Sequence, residues 1–126
     1  MNHRIAILSD IHGDTTALEA VIVDARALGA TEYWLLGDIL LPGPGREDLF
    51  ELLDAIPITA AVRGNWDDCV LEALDGEYGL EDPQEIQLLR LTQYLMEGLD
   101  PKRIDWLRSL PLVEKKEVNG IRFSLT

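Results

Sequence analysis

An α/β chain on a mainly parallel sheet, finished by a C-terminal β-hairpin, is expected from three features. Apolar runs at Arg4–Ser9, Tyr33–Leu36 and Ile58–Val62 have the length of strands, not helices. Stretches with helical spacing separate them, and strand–helix–strand–helix–strand implies parallel strands joined by right-handed crossovers. Near the end, Asn119-Gly120 lies between two strand-like segments, and Asn-Gly is the strongest two-residue hairpin signal because both central positions need positive φ.

Each element follows from its residues. Arg4–Ser9 (RIAILS) is short, apolar and rich in Ile, which suits a buried strand. Asp14 can cap the next helix, in which Ala17, Leu18, Val21, Ile22, Ala25 and Leu28 recur at helical spacing before Gly29 stops it. Tyr33–Leu36 is the second strand. Glu47–Ala55 is a short helix with acidic residues in its first turn, ended by Pro57. Ile58–Val62 is the third strand. Asp82-Pro83-Gln84-Glu85 reads as a capping box with proline at the first helical position, opening a helix to about Glu97 with Gly98 as terminator. Asp100-Pro101 opens another helix, with Trp106, Leu107 and Leu110 toward the core. Leu112–Val118 and Ile121–Leu125 form the hairpin, with Glu117 opposite Arg122 and with Ile121, Phe123 and Leu125 on one face.

The chain has 126 residues, 23 acidic and 11 basic, for a net charge of −12. That length favours one domain, with 1–66 a strand–helix core, 67–111 an acidic helical segment and 112–126 the hairpin. No apolar run is long enough to span a membrane, and the N-terminus lacks the apolar core of a secretory signal. One cysteine, Cys69, excludes an internal disulfide framework and fits a reducing, cytoplasmic compartment. The acidic balance argues against nonspecific nucleic-acid or anionic-membrane binding, both of which need clustered positive charge.

Three polar clusters follow the three strands: Ser9-Asp10-Ile11-His12-Gly13-Asp14, Gly37-Asp38, and Gly64-Asn65-Trp66-Asp67. Side chains just past the carboxyl ends of such strands converge on one crevice. Each cluster alone has a structural explanation, as a helix cap or a turn. Together Asp10, His12, Asp38 and Asn65 make a coherent donor set for divalent metal. Carboxylate and amide oxygens with an imidazole suit Mn, Fe, Zn or Ni better than Ca or Mg. Asp38 has two oxygens and can bridge two ions, and a two-metal site activates water and clamps the oxygens of an in-line displacement at phosphorus. Arg63 reads either as a contact to a phosphate oxygen or as a surface charge. A nucleotide-binding or D-x-D phosphatase fold is disfavoured: no glycine-rich phosphate loop follows the first strand, and His12 holds the second D-x-D position.

On these residues the chain resembles the calcineurin-like metallophosphoesterases, and within them the small bacterial and archaeal phosphodiesterase-like branch. The family pattern is D-x-H, then G-D, then G-N-H-D, then a lone histidine and G-H-x-H. Asp10 and His12 match the first element, Gly37-Asp38 the second with Gly43-Pro44 in its usual continuation, and Gly64, Asn65 and Asp67 the third. The resemblance implies the N-terminal half of a four-layer α/β/β/α sandwich that hydrolyses a phosphate mono- or diester with a hydroxide bridging two divalent ions. By it, Asp10 and His12 bind the first ion, Asp38 bridges and Asn65 binds the second.

Two departures qualify the resemblance. Trp66 stands where the pattern has a histidine that assists the leaving group; an indole does not titrate near neutral pH and its N–H only donates. The C-terminal histidines of the pattern are not in this sequence, so a truncated domain with weak metal binding and little turnover is expected. A sheet cut in this way should leave an apolar face that pairs with another copy or with a separate C-terminal half. The alternative is a non-catalytic protein-interaction module on the same fold.

Overall fold

The computed structural model describes residues 3–126. Three parallel strands, β1 (Ile5–Leu8), β2 (Glu32–Leu35) and β3 (Ile58–Ala61), form a sheet in that order. Helices α1 (Thr15–Ala27) and α2 (Glu47–Asp54) connect them, and α3 (Asn65–Leu74), α4 (Pro83–Glu97) and α5 (Pro101–Ser109) follow. β4 (Glu114–Val118) and β5 (Ile121–Leu125) close the chain as an antiparallel hairpin. The α/β class, the parallel sheet and the terminal hairpin agree with the expectation from sequence.

The helix signals act as anticipated at most termini. The Asp14 side chain accepts the Ala17 N–H at 2.9 Å, and Asp82 and Asp100 each cap the turn that follows their prolines. One detail differs. Glu85 does not reach back to complete a capping box; its carboxylate accepts the Gly79 N–H at 2.9 Å and folds the preceding loop onto the helix. Leu112 and Val113 lie outside β4 and are exposed, because the chain there runs alongside β3: the Pro111 carbonyl accepts the Arg63 N–H at 2.9 Å.

Alternation along the strands sorts side chains to two faces. Tyr33, Leu35 and Ala61 join the main core with Leu18 and Ile22 of α1, Leu49, Phe50 and Leu53 of α2, and residues of α3, α4 and α5. Trp34, Ala60 and Val62 face the other way and meet Leu125 of the hairpin. A register shift in β3 makes this possible, since Tyr33 pairs with Ile58 while Trp34 pairs with Ala60. The extra residue, Thr59, lets Ile58 pack toward the helices while Ala60 and Val62 turn to the hairpin. The layers therefore run helices, parallel sheet, hairpin. Trp34 is buried; its indole N–H donates to the Thr59 hydroxyl at 3.0 Å and its ring meets Phe123 edge-on at 5.4 Å.

The hairpin also closes the outer edge of β3 without pairing to it. Glu114 accepts the Ala61 N–H at 3.1 Å, and the Lys116 ammonium donates to the Thr59 carbonyl at 3.1 Å. Asn119 and Gly120 have φ of 51° and 78°, and Glu117 pairs with Arg122, as the turn signal demands. No helix among the described residues is long and apolar enough to cross a membrane.

Candidate metal centre

The strands end where the polar clusters begin. Asp10 and His12 follow β1, Asp38 follows β2, and Asn65 is the first residue of α3 after β3. Beyond the strands, the first loop stays bonded to the second: Asp10 N–H donates to the Gly37 carbonyl at 3.1 Å, His12 N–H to Asp38 at 2.8 Å and Gly13 N–H to Ile39 at 2.9 Å. Asp10, His12 and Asp38 have φ of 57°, 49° and 54°. Left-handed backbone costs a non-glycine residue on the order of 1 kcal/mol or more. Three such residues in neighbouring loops, held by backbone bonds, aim their side chains at one place.

That place is a cluster. His12 Nε2 lies 3.3 Å from Asp10 Oδ1 and 3.8 Å from Asp38 Oδ2. One donor atom from each of the three residues fits within 4.8 Å of the others. His12 Nδ1 lies 2.9 Å from the Leu41 carbonyl. A carbonyl only accepts, so Nδ1 carries the proton and the Nε2 lone pair faces the carboxylates. This is the arrangement in which an imidazole ligates metal. The Ser9 hydroxyl, donating to Asp10 Oδ2 at 2.6 Å, holds the Asp10 carboxyl below the ordinary carboxylate range.

Asp38 is the inner ligand candidate, with its side chain 14% exposed. Its Oδ1 accepts the Trp66 backbone N–H at 2.9 Å. Gly64 is required beside it, since a Cβ there would strike the Asp38 carboxylate. The Asn65 amide ends 3.1 and 3.3 Å from the two Asp38 oxygens. With its nitrogen inward it donates to them; with its oxygen inward three oxygen atoms face one another, a grouping that a cation stabilises. Carboxylate, imidazole and amide donors at these positions fit a divalent transition ion. The Trp66 ring stands edge-on to His12, with centroids 5.6 Å apart, and walls one side of the cluster.

Arg63 departs from one of its two sequence readings, and Asp67 has a role that the sequence reading did not assign. Arg63 does not point to the cluster. Its Nε pairs with Asp68, and its Nη1 donates to the Arg108 and Leu110 carbonyls at 3.2 Å each. The reason is the end of α5, whose free carbonyls lie within reach of the guanidinium and draw it away from the crevice. Asp67, by contrast, is fully buried and supports the site from below. Its carboxylate accepts N–H bonds from Asp38 at 2.8 Å, Ile39 at 2.9 Å and Gly64 at 2.9 Å. Burial pushes its pKa up, against the pull of those three donors. The signal for this role was an acid three residues after the N-cap Gly64, where it can cap the N-terminus.

Of the cluster, Asp10 reaches a groove of about 340 Å³ between β1 and α1, lined also by Ile7, Ala17 and Val21. A larger cavity of about 630 Å³ lies away from it, among β3, α2, α5 and Glu114.

An α/β domain with carboxylates and an imidazole gathered past its parallel strands offers a donor group that could hold a metal ion. The chain matches the calcineurin-like phosphoesterase family over residues 3–124 and belongs to it. It is 32% identical to an uncharacterised protein of Methanocaldococcus jannaschii over 120 residues, 92% of this chain and 45% of that protein. A crystal structure of a metallophosphoesterase from Sphaerobacter thermophilus superimposes with a TM-score of 0.65 and 32% identity, covering 90% of this chain and 44% of that one. A hypothetical protein from Pyrococcus horikoshii has the same fold, with a TM-score of 0.66 and 22% identity over 95% of this chain and 52% of its own. The chain thus spans about half the length of the relatives it matches.

Proposed function

We propose that this chain carries the metal-binding half of a phosphoesterase that hydrolyses a phosphate mono- or diester. The observation that carries the reading is the meeting of Asp10, His12 and Asp38 donor atoms within 4.8 Å. Asp10 and His12 would hold one divalent ion, Asp38 would share two, and Asn65 would hold the second, drawn from Mn, Fe, Zn and Ni. Such ions, when bound, polarise phosphoryl oxygens and make water nucleophilic at neutral pH. The protein's own contribution is positional. The Leu41 carbonyl keeps His12 in the tautomer that presents Nε2, and the Trp66 N–H holds Asp38 by one oxygen. Arg63 is left out of the proposed machinery because Asp68 and α5 occupy its Nε and Nη1. The single cysteine fits a reducing compartment, and we propose the cytoplasm as the location.

The test is calorimetric titration with Mn²⁺, followed by hydrolysis of p-nitrophenyl phosphate and bis(p-nitrophenyl) phosphate. Binding with slow, metal-dependent hydrolysis, both lost in Asp38→Ala, is expected. Failure of Mn²⁺, Zn²⁺ and Ni²⁺ to bind overturns the reading.

A second reading, a protein-interaction module, is favoured by one observation: Ile7 and Ile121, at 54% and 60% exposure, lie with Phe123 along the open side of β1. We propose that this side is where another copy or a separate C-terminal half would pair. Sedimentation as a well-folded monomer at high concentration would argue against it.

A further inference from the structure

We infer that Arg46 and Tyr94 are positioning residues for the metal cluster, clamping the loop whose Leu41 carbonyl orients His12; the inference rests on the metal-site reading above. The loop from Ile39 to Arg46 runs directly over the His12 turn. Gly43 N–H donates to the His12 carbonyl at 2.8 Å, and Gly45 N–H donates to the Gly13 carbonyl at 2.7 Å. The two backbones touch: a Cβ on Gly13 would meet the Gly43 oxygen at 2.5 Å. The orientation of the imidazole therefore depends on where this loop lies.

What holds the loop from its other side is α4, which places no side chain in the cluster. The Arg46 guanidinium carbon lies 4.2 Å from the centre of the Tyr94 ring, and Nη1 donates to the Tyr94 carbonyl at 3.1 Å. The Tyr94 hydroxyl donates to the Pro44 carbonyl at 3.4 Å. Gly98, one turn on, leaves the space that Arg46 fills, since a Cβ there would come within 2.6 Å of the guanidinium. Arg46 and Tyr94 thus grip both ends of the segment Pro44–Arg46, and that segment carries Gly45, which is bonded to the His12 turn. A cation over an aromatic face is attracted by the ring's negative π-cloud. That attraction biases a glycine- and proline-rich loop toward one conformation.

The experiment compares wild type with Tyr94→Leu, Arg46→Met and Tyr94→Phe, reading Mn²⁺ affinity by titration and hydrogen exchange at the Gly43 and Gly45 amides. Tyr94→Leu and Arg46→Met are expected to weaken Mn²⁺ binding about tenfold, as loss of a group that orients a metal ligand does, and to speed exchange at both glycines. Tyr94→Phe keeps the ring and is expected to retain most of the affinity. Arg108→Met, which breaks an ion pair with Asp75 far from the loop, controls for general destabilisation. Wild-type affinity and exchange in Tyr94→Leu and Arg46→Met overturn the inference, and so does equal weakening by Arg108→Met. If wild type itself binds no Mn²⁺, the metal-site reading fails, and the clamp is judged on glycine exchange alone, unchanged exchange overturning it.

Discussion

The Asp67 carboxylate accepts the backbone N–H of Asp38 at 2.8 Å, so a fully buried acid on α3 holds in place the backbone of a metal-ligand candidate after β2. The same carboxylate binds Gly64 and Ile39, and one side chain ties the second and third loops together. Asp67→Ala strands three N–H groups, and each buried donor left without a partner costs about 1–3 kcal/mol. We expect a loss of several degrees in thermal midpoint together with weaker Mn²⁺ binding. A variant as stable as wild type would show that the bonds are dispensable.

Metal should stabilise the fold. An ion that binds the native state alone adds about 2.7 kcal/mol at a concentration a hundred times its Kd. Mn²⁺ is expected to raise the unfolding temperature and EDTA to reverse the rise. Asp10→Asn keeps the shape of the side chain but removes its charge, and should abolish most of the shift. A shift of full size in Asp10→Asn would remove Asp10 from the ligand set.

Acid should weaken the protein through two ion pairs. Arg103 binds Asp54 and Arg108 binds Asp75, and these hydrogen bonds hold both carboxyls below their ordinary range. A carboxyl with a lowered folded pKa binds fewer protons in the native state, so its contribution is full above the unfolded value near 3.8 and fades as pH falls through the folded one. Asp67, whose pKa burial raises, works in the opposite sense. The urea midpoint should therefore drop as pH falls below about 4, and Arg103→Met should shrink that drop. An unchanged pH profile in Arg103→Met would refute the assignment.

The hairpin hangs on few apolar contacts. Leu125 is 4% exposed, packed with Trp34, Ala60 and Val62. Leu125→Ala should cost about 2–4 kcal/mol and expose Trp34, read as a red shift of its fluorescence. Fluorescence and midpoint both unchanged would mean the hairpin is held elsewhere.

Much of this architecture could be read in advance because local signals and burial agree. Apolar runs of strand length, Asp14 before a helical stripe, two Asp-Pro openings and Asn119-Gly120 each specify geometry through their own backbone chemistry. The gathering of Asp10, His12 and Asp38 follows from topology, since parallel strands bring their carboxyl ends together. What could not be read depends on distant partners. Arg63 turns toward carbonyls of α5 more than forty residues away. Asp67 lies in the most acidic stretch, where a charge ordinarily faces solvent; its place after Gly64 marks a helix cap, but its bonds to Asp38 and Ile39 depend on a loop nearly thirty residues away. The Thr59 bulge leaves no mark in an apolar run that reads equally well without it.

The side chains of Glu114 and Lys116 on the outer hydrogen-bonding groups of β3 make growth of the parallel sheet one-sided. Any strand added to it has a single doorway, alongside Ile5–Leu8, where Ile7 is half exposed. The molecule is polarised between a sealed flank and a receptive one, and the crevice with its carboxylates opens beside the receptive flank.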